Sequence, residues 1–149
     1  EAEARLLLFA GFAGKETKDL LTFSLASEEW TVHTAPAEVV PRSVCQSFVT
    51  GGEGNGRMIC YGGEVEPSSL GHAGAGSFSS EVLAIDAAGE VTTVEMQVGD
   101  GTKGPEPRGW GSAAAIFPNC GLVYGGLTGS DENPERLGDA WALLVIEGD

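Results

Sequence analysis

The residues with the most distinctive chemistry lie together in one long, glycine-rich segment. Residues 64–78 contain Glu64, Glu66 and His72, and His72 is one of only two histidines in the chain. Carboxylate and imidazole groups are the ligands that a non-haem iron or a similar divalent ion prefers. The segment therefore predicts a metal site at Glu64 and His72. The alternative is that Glu64 caps a turn and that His72 is a surface residue.

Two arginines occupy matching positions ahead of apolar segments. Arg42 follows Pro41, and Arg108 follows Pro107. A guanidinium group can bind an oxyanion through two parallel hydrogen bonds, so both arginines are predicted ligand-binding residues, and Trp110 is predicted to line the same pocket. The alternative is structural, with each arginine paired to an acidic residue of the fold and Trp110 filling space between packed sheets.

The charge of the chain limits its partners. The 149 residues include 22 Asp and Glu against 8 Lys and Arg, which gives a net charge of -14. Binding to nucleic acid or to an anionic membrane depends on Lys and Arg, so neither is expected. The apolar run at residues 140–146 is also far shorter than the roughly 20 residues of a membrane helix. A basic protein is the partner that this charge favours.

Residues 1–4, Glu-Ala-Glu-Ala, have the form of the remnant that a yeast secretion leader leaves, so they are predicted to be an expression scar. The native protein is expected to be soluble, and a cytoplasmic location fits. The three cysteines, Cys45, Cys60 and Cys120, match no zinc-binding spacing. They are predicted to be small buried residues, with at least one thiol free or bonded to another chain.

Short apolar segments alternate with clusters of Gly, Pro, Ser and Asn, and none keeps a helical period long enough to bury one face. The predicted fold class is therefore all-β. The predicted strands cover residues 5–10, 19–25, 43–50, 58–61, 81–86, 91–96, 112–116, 121–124 and 139–145.

The strands repeat one order of features three times. In each repeat an apolar strand ends in small residues, a loop of variable length follows, an acidic residue opens a second strand, and an aromatic residue often comes next. The small residues are Ala10-Gly11, Gly62-Gly63 and Gly125-Gly126, and the acidic residues are Asp19, Glu81 and Asp139. The repeats predict one region, residues 5–149, with units at about 5–43, 44–108 and 109–149.

These motifs resemble the kelch family, whose blades carry a double glycine, an acidic residue, a tryptophan and a Pro-Arg-Ser opening. The resemblance implies a β-propeller, in which four-stranded blades surround a central channel. Three blades cannot close a ring, so the chain is expected to form half of a six-bladed propeller. A second copy of this chain or a complementary propeller half would complete the ring. A distinct compact fold is the other alternative.

The long loop is similar to the corresponding loop of the nitrile-specifier and thiocyanate-forming kelch proteins. In those proteins a Glu, an Asp four residues on and a His or Cys four further bind ferrous iron. The resemblance places the first ligand at Glu64 and the third at His72, but Ser68 stands where the family has Asp. A hydroxyl is a poorer ligand than a carboxylate. Arginines at the channel mouth are thought to hold the sulfate of the substrate, and the resemblance extends this role to the two arginines described above.

Three functions follow from these patterns. The first is a binding module that presents the loops of one face to a protein or small-molecule partner. The second is a ferrous-iron-dependent lyase that acts on a sulfur-containing small molecule. The third is a half-propeller that self-associates. The chain has neither a Glu-x-x-His pair, nor a nucleophilic serine elbow, nor a phosphate-binding glycine loop before a helix, so ordinary hydrolase and kinase chemistry is not expected.

Overall fold

The computed structural model describes residues 4–52, 55–71, 74–99, 101 and 103–146. The described residues form twelve β-strands, which confirms the predicted all-β fold. Within these residues there is no helix of the length and apolar character needed to cross a membrane. The strands are β1 (Arg5–Phe12), β2 (Glu16–Ser24), β3 (Glu29–His33), β4 (Gln46–Thr50), β5 (Arg57–Tyr61), β6 (Glu64–Glu66), β7 (Ser77–Phe78), β8 (Val82–Asp86), β9 (Val91–Val94), β10 (Ser112–Phe117), β11 (Cys120–Gly129) and β12 (Pro134–Leu144).

The strands form three main antiparallel sheets. Sheet 1 has the order β1-β2-β3, sheet 2 has the order β4-β5-β8-β9, and sheet 3 has the order β10-β11-β12. The short strands β6 and β7 pair with each other inside the long loop of sheet 2. Each main sheet is built from consecutive segments of the chain, and none of the described sheets closes on itself.

Each of the nine predicted strands overlaps an observed strand, and three further strands were not predicted. These are β3, β6 and β7. Strands β11 and β12 are longer than predicted, because the ladder between them continues beyond Gly125 after a shift in register. The double glycine does not end β11 but kinks it.

The same backbone position is left-handed in all three sheets. Ala10, Gly62 and Gly125 have φ values of 62°, 70° and 60° and follow Phe9, Tyr61 and Tyr124. At Gly62 a side chain would collide with the carbonyl oxygen of Arg108. At Gly62, glycine is therefore favoured both by the left-handed conformation and by the close approach of the segment that enters sheet 3, whereas the equivalent position of sheet 1 accommodates Ala10.

Sheet 2 lies between the other two sheets. Leu7 and Phe9 of sheet 1 pack with Leu20 against one face of sheet 2, where they meet Cys60 and Leu83. The opposite face of sheet 2 packs against sheet 3. That second cluster consists of Phe48, Ile59, Tyr61, Val82, Ala84 and Val123, with Ala113, Trp141 and Leu143 beside it.

Sheets 1 and 3 each have a second face, turned away from sheet 2, and these are called here the outer faces. The register of β1, β2 and β3 places six apolar residues on the outer face of sheet 1: Leu6, Leu8, Leu21, Phe23, Trp30 and Val32. The register of β10, β11 and β12 does the same for the outer face of sheet 3: Ala114, Leu122, Tyr124, Ala140, Ala142 and Leu144. The three sheets therefore form a stack that ends in two apolar surfaces.

Candidate functional site

The two predicted ligand-binding arginines are buried and ion-paired. Arg42 donates through Nη2 to Glu81 at 2.5 Å. Arg108 donates through Nη1 and Nη2 to the two carboxylate oxygens of Asp139, at 2.5 and 2.9 Å. Both guanidinium groups are 0% exposed. The structural alternative for these arginines is therefore the arrangement observed, and a ligand could reach either group only if its ion pair opened.

Two further N–H groups of each arginine bind backbone carbonyls in the same pattern. Nε of Arg42 donates to Val40 and Nη1 to Gly62, at 3.1 and 3.2 Å. Nε of Arg108 donates to Glu106 and Nη1 to Gly125, at 3.0 and 3.2 Å. Each arginine thus ties the segment that enters a sheet to the left-handed glycine and the acidic residue of that sheet.

Arg108 also changes the titration of its partner. Its hydrogen bonds lower the pKa of Asp139 from 3.8 to about 2, and a hydrogen bond from the indole of Trp141 acts in the same direction. The carboxylate is therefore charged throughout the physiological pH range.

Trp110, the third predicted ligand-binding residue, lies at the entry to sheet 3. Its backbone is left-handed, with φ of 61°, and its amide donates to the carbonyl of Val44 at 3.0 Å. Half of the residue is exposed. It connects the entry segments of sheets 2 and 3, and its ligand-binding role stays a prediction.

Glu64, the first predicted metal ligand, begins β6 and is buried, with 8% exposure. Its backbone forms a two-bond bridge with Ser43, at 2.9 Å in both directions. A side chain at Gly76 would press on its carboxylate oxygen Oε1, so the glycine lets the long loop close over this group. His72, the other predicted ligand, lies outside the described residues.

Ser68 occupies the place of the carboxylate ligand in the resembled family, and it contacts a carboxylate from another sheet. Its hydroxyl donates to Oδ1 of Asp131, in the turn between β11 and β12. Ser69 donates to Oδ2 of the same residue through its hydroxyl at 2.9 Å and its amide at 3.2 Å. These bonds lower the pKa of Asp131. A charged side chain of sheet 3 therefore holds the long loop of sheet 2.

Beside this contact lies a cleft of about 370 Å³ between the long loop and the turn of sheet 3. Carboxylates and hydroxyls dominate its lining: Glu66, Ser69, Ser77, Ser130, Asp131 and Glu132. Glu66 accepts a hydrogen bond from Ser77 at 3.0 Å, whereas the carboxylate of Glu132 has no hydrogen bond or ion pair within the described part of the chain. The cleft is thus suited to a cation or a hydrogen-bond donor.

The described residues do not by themselves supply the predicted iron site. No three His, Cys, Asp or Glu side chains among them are close enough to hold a metal ion. The Ser68 hydroxyl is already bound to Asp131. The ferrous-iron site at Glu64 and His72 therefore stays a prediction.

The cysteines are all free. Cys60 and Cys120 are buried, as predicted, and Cys45 is half-buried. Burial raises the pKa of Cys45 to about 11 and that of Cys60 well above its usual value. A thiol that remains protonated is a poor nucleophile and a poor metal ligand, so Cys45 and Cys60 act as packing residues.

A larger cavity, of about 750 Å³, lies between sheets 2 and 3 beside β12. Its walls are mostly apolar and include Ile59, Val82, Met96, Trp141 and Leu143. Tyr61, in the same core cluster, donates its hydroxyl to the carbonyls of Pro105 and Glu106 at 2.7 and 3.0 Å. These two hydrogen bonds attach the segment that leads into sheet 3 to sheet 2.

A comparison with known protein families gives no match to any family model. The acidic cleft residues that sequence reasoning missed are Asp131 and Glu132. Their signal was the acidic turn at residues 131–132, and the contact of Asp131 with Ser68 spans 63 positions along the chain.

Proposed function

We propose that this protein is a binding module that presents the cleft between the long loop and the turn of sheet 3 to a basic peptide segment. The observation that carries this proposal is the contact of Asp131 with Ser68 and Ser69, since it joins loops of two sheets into one surface. The expected partner carries Lys or Arg, because the cleft has carboxylates and hydroxyls and the chain as a whole has a charge of -14.

We interpret the three sheets as kelch-type blades. Two regularities support this interpretation. The left-handed position recurs at Ala10, Gly62 and Gly125, and the pairing of an arginine with the acidic residue recurs in sheets 2 and 3. The loops that follow the left-handed position of each sheet, after β1, β5 and β11, then lie at one end of the stack, which is where the cleft is found.

Within the cleft the acidic residues have different tasks. Asp131 is fully engaged by Ser68 and Ser69, so it positions the loop. Glu66 and Glu132 are exposed and are the groups that would meet a cation. Charges at an exposed site act mainly on the rate of association and are screened by salt, so the proposed binding is salt-sensitive.

The test is the fluorescence anisotropy of a labelled hexalysine peptide titrated with the protein. The Glu66→Gln, Glu132→Gln double variant is expected to weaken binding about 10-fold, because two rim charges contribute about 0.7 kcal/mol each. The control is the Glu28→Gln, Glu90→Gln double variant, which removes the same charge. Glu28 and Glu90 lie in the turns after β2 and β8, at the opposite end of the sheets from the cleft.

The control variant is expected to lose less than about 2-fold in affinity. An equal loss in both double variants would show that the peptide follows the net charge and not the cleft. Absence of binding by the unaltered protein at low salt would also overturn the proposal. A hexaglutamate peptide serves as the charge-reversed probe and is expected not to bind.

A further inference from the structure

The outer faces of sheets 1 and 3 present large apolar side chains to solvent. On sheet 1, Leu6, Trp30 and Val32 are 55%, 53% and 76% exposed, and on sheet 3, Tyr124 and Leu144 are 55% and 59% exposed. Apolar patches above a few hundred Å² are uncommon on a monomer and mark interaction sites. The exposure follows from the register, because the apolar residues of each outer face alternate along the strands with residues that face sheet 2.

Along the chain, each sheet packs one particular face against the sheet that follows it. This regularity indicates which surface would cover the outer face of sheet 3. Phe9 of sheet 1 packs toward sheet 2. Tyr61, which precedes the left-handed position of sheet 2 as Phe9 does in sheet 1, packs toward sheet 3. Tyr124 is the third residue of this series, and it lies on the outer face of sheet 3. The outer face of sheet 3 therefore carries, at Tyr124, the counterpart of the residues that pack onto the next sheet in sheets 1 and 2.

The outer face of sheet 1 is the complementary surface. Met58 and Cys60 of sheet 2 lie on the face that receives sheet 1. The residues at the same distance from the left-handed position of sheet 1 are Leu6 and Leu8, and both lie on its outer face. Among the described residues, no other sheet packs on the receiving face of sheet 1 or on the forward face of sheet 3.

We propose that these two surfaces bind each other between two copies of this chain. The outer face of sheet 3 of one copy packs on the outer face of sheet 1 of the other, as sheet 1 packs on sheet 2 within the chain. A two-fold axis allows both contacts to form at once and closes the assembly with two copies, whereas other rotations give larger rings or open filaments. This interface uses the sheet faces and leaves the cleft at the loop end free.

Charge works against this association. Each copy has a net charge of -14, so two copies repel each other at low salt and added salt strengthens their association. Binding of a basic peptide to the cleft has the opposite salt dependence. The two proposals can therefore fail separately in the same set of buffers.

The experiment is sedimentation equilibrium of the full chain from about 1 to about 100 µM, a range that brackets weak self-association. The weight-average mass is expected to rise from 15.3 kDa toward twice that value or beyond as concentration increases. Leu8→Glu and Tyr124→Glu are each expected to raise the dissociation constant at least about 100-fold, because each buries an unpaired charge in the interface. Leu70→Glu, at an exposed leucine of the long loop, is the matched control and is expected to associate as the unaltered chain does.

Mixing the two variants tests the pairing of faces. Leu8→Glu blocks the outer face of sheet 1, and Tyr124→Glu blocks that of sheet 3, so each alone is expected to be monomeric. In an equimolar mixture one intact pair of faces remains, and a dimer mass is expected to reappear. Val32→Glu, on the edge strand β3, replaces Leu8→Glu if circular dichroism shows that the latter does not fold.

A constant mass of 15.3 kDa for the unaltered chain at every concentration and salt level would overturn the proposal. Self-association of the Tyr124→Glu variant alone would also overturn it, because it would mean that like faces bind each other. A mixture that stays monomeric while the unaltered chain associates would contradict the stated pairing of the faces.

Discussion

A guanidinium group shielded from water is costly unless its donors are engaged. Four of the five N–H groups of Arg108 are engaged, by Asp139 and by the carbonyls of Glu106 and Gly125. Its partner Asp139 is itself 41% exposed. The pair is thus asymmetric: water can replace part of what Asp139 would lose on separation, whereas the side chain of Arg108 is 0% exposed and out of reach of water.

Asp139→Asn is expected to lower the free energy of unfolding by about 2 to 3 kcal/mol, because it leaves a buried cation without its counter-charge. Asp19→Asn is the matched control. Asp19 holds the same place in sheet 1 and has no side-chain hydrogen bond or ion pair within the described residues, so a change below about 0.5 kcal/mol is expected. Guanidinium chloride unfolding measures both values, and equal losses would contradict this role of Arg108.

The carboxylate of Asp139 also makes the free energy of unfolding depend on pH. The pKa of Asp139 is about 2 in the folded chain and 3.8 as its ordinary value, so the unfolded state takes up the proton first as the pH falls. The stabilisation is therefore fully present above about pH 4 and is lost as the pH falls toward about 2. Asp139→Asn should flatten this part of the stability profile, and an unchanged profile would assign the acid sensitivity to other groups.

At the scale of the strands and their junctions, two left-handed glycines allow two destabilising effects to be distinguished. One is the cost of a left-handed backbone, and the other is the cost of a steric collision. Gly62 and Gly71 have φ values of 70° and 60°. A methyl group at Gly62 would collide with the carbonyl of Arg108, whereas one at Gly71 would have no described atom within 4 Å. Comparing an alanine substitution at Gly62 with one at Gly71 therefore tests whether the close approach of sheet 3 to sheet 2 contributes to stability.

Gly71→Ala is expected to cost about 1 kcal/mol, since only the left-handed backbone is strained. Gly62→Ala is expected to cost more than about 3 kcal/mol, because the two backbones must also separate. Thermal unfolding of the two variants and of the unaltered chain measures both costs. If the two substitutions cost the same, strain alone explains Gly62 and the close approach of the sheets contributes nothing.

The sequence predicts those elements whose causes are local. Alternation and glycine boundaries placed nine strands, and the repeated acidic residue indicated the pairs later found with Arg42 and Arg108. Strand β3 was not among the nine, although Trp30 and Val32 alternate with Thr31 and His33, because this alternation covers only five residues. Its register against β2 establishes the strand. Strands β6 and β7 have three and two residues, too few to show a period.

The candidate site was harder to predict from the sequence than the strands. Residues 64–78 stood out by composition, and the cleft does use this loop. Its other wall, with Asp131 and Glu132, comes from a turn far along the chain and is brought close only by the packing of sheet 3 on sheet 2. No periodicity in the sequence indicates that this turn and the long loop are close in space. The resemblance led instead to Glu64, which lies beneath the loop and does not line the cleft.

For the whole molecule, the dominant electrostatic quantity is the net charge of -14. Like charges repel most in the compact state, so salt that screens them favours folding. Raising NaCl from about 10 to about 150 mM is expected to raise the Tm by about 3 °C, which corresponds to about 1 kcal/mol. The measurement is made near 1 µM, where self-association is weakest. A falling Tm would mean that screened ion pairs outweigh the general repulsion.

The matched outer faces also bear on how a protein of this kind gains size. In a tandem gene duplication, the outer face of sheet 3 in the first copy meets the outer face of sheet 1 in the second within one polypeptide. Joining the copies raises their effective concentration to about the millimolar range, so a contact too weak to persist between separate chains would persist in the fused chain. The repeated stacking order thus lets duplication enlarge the fold without the evolution of a new interface.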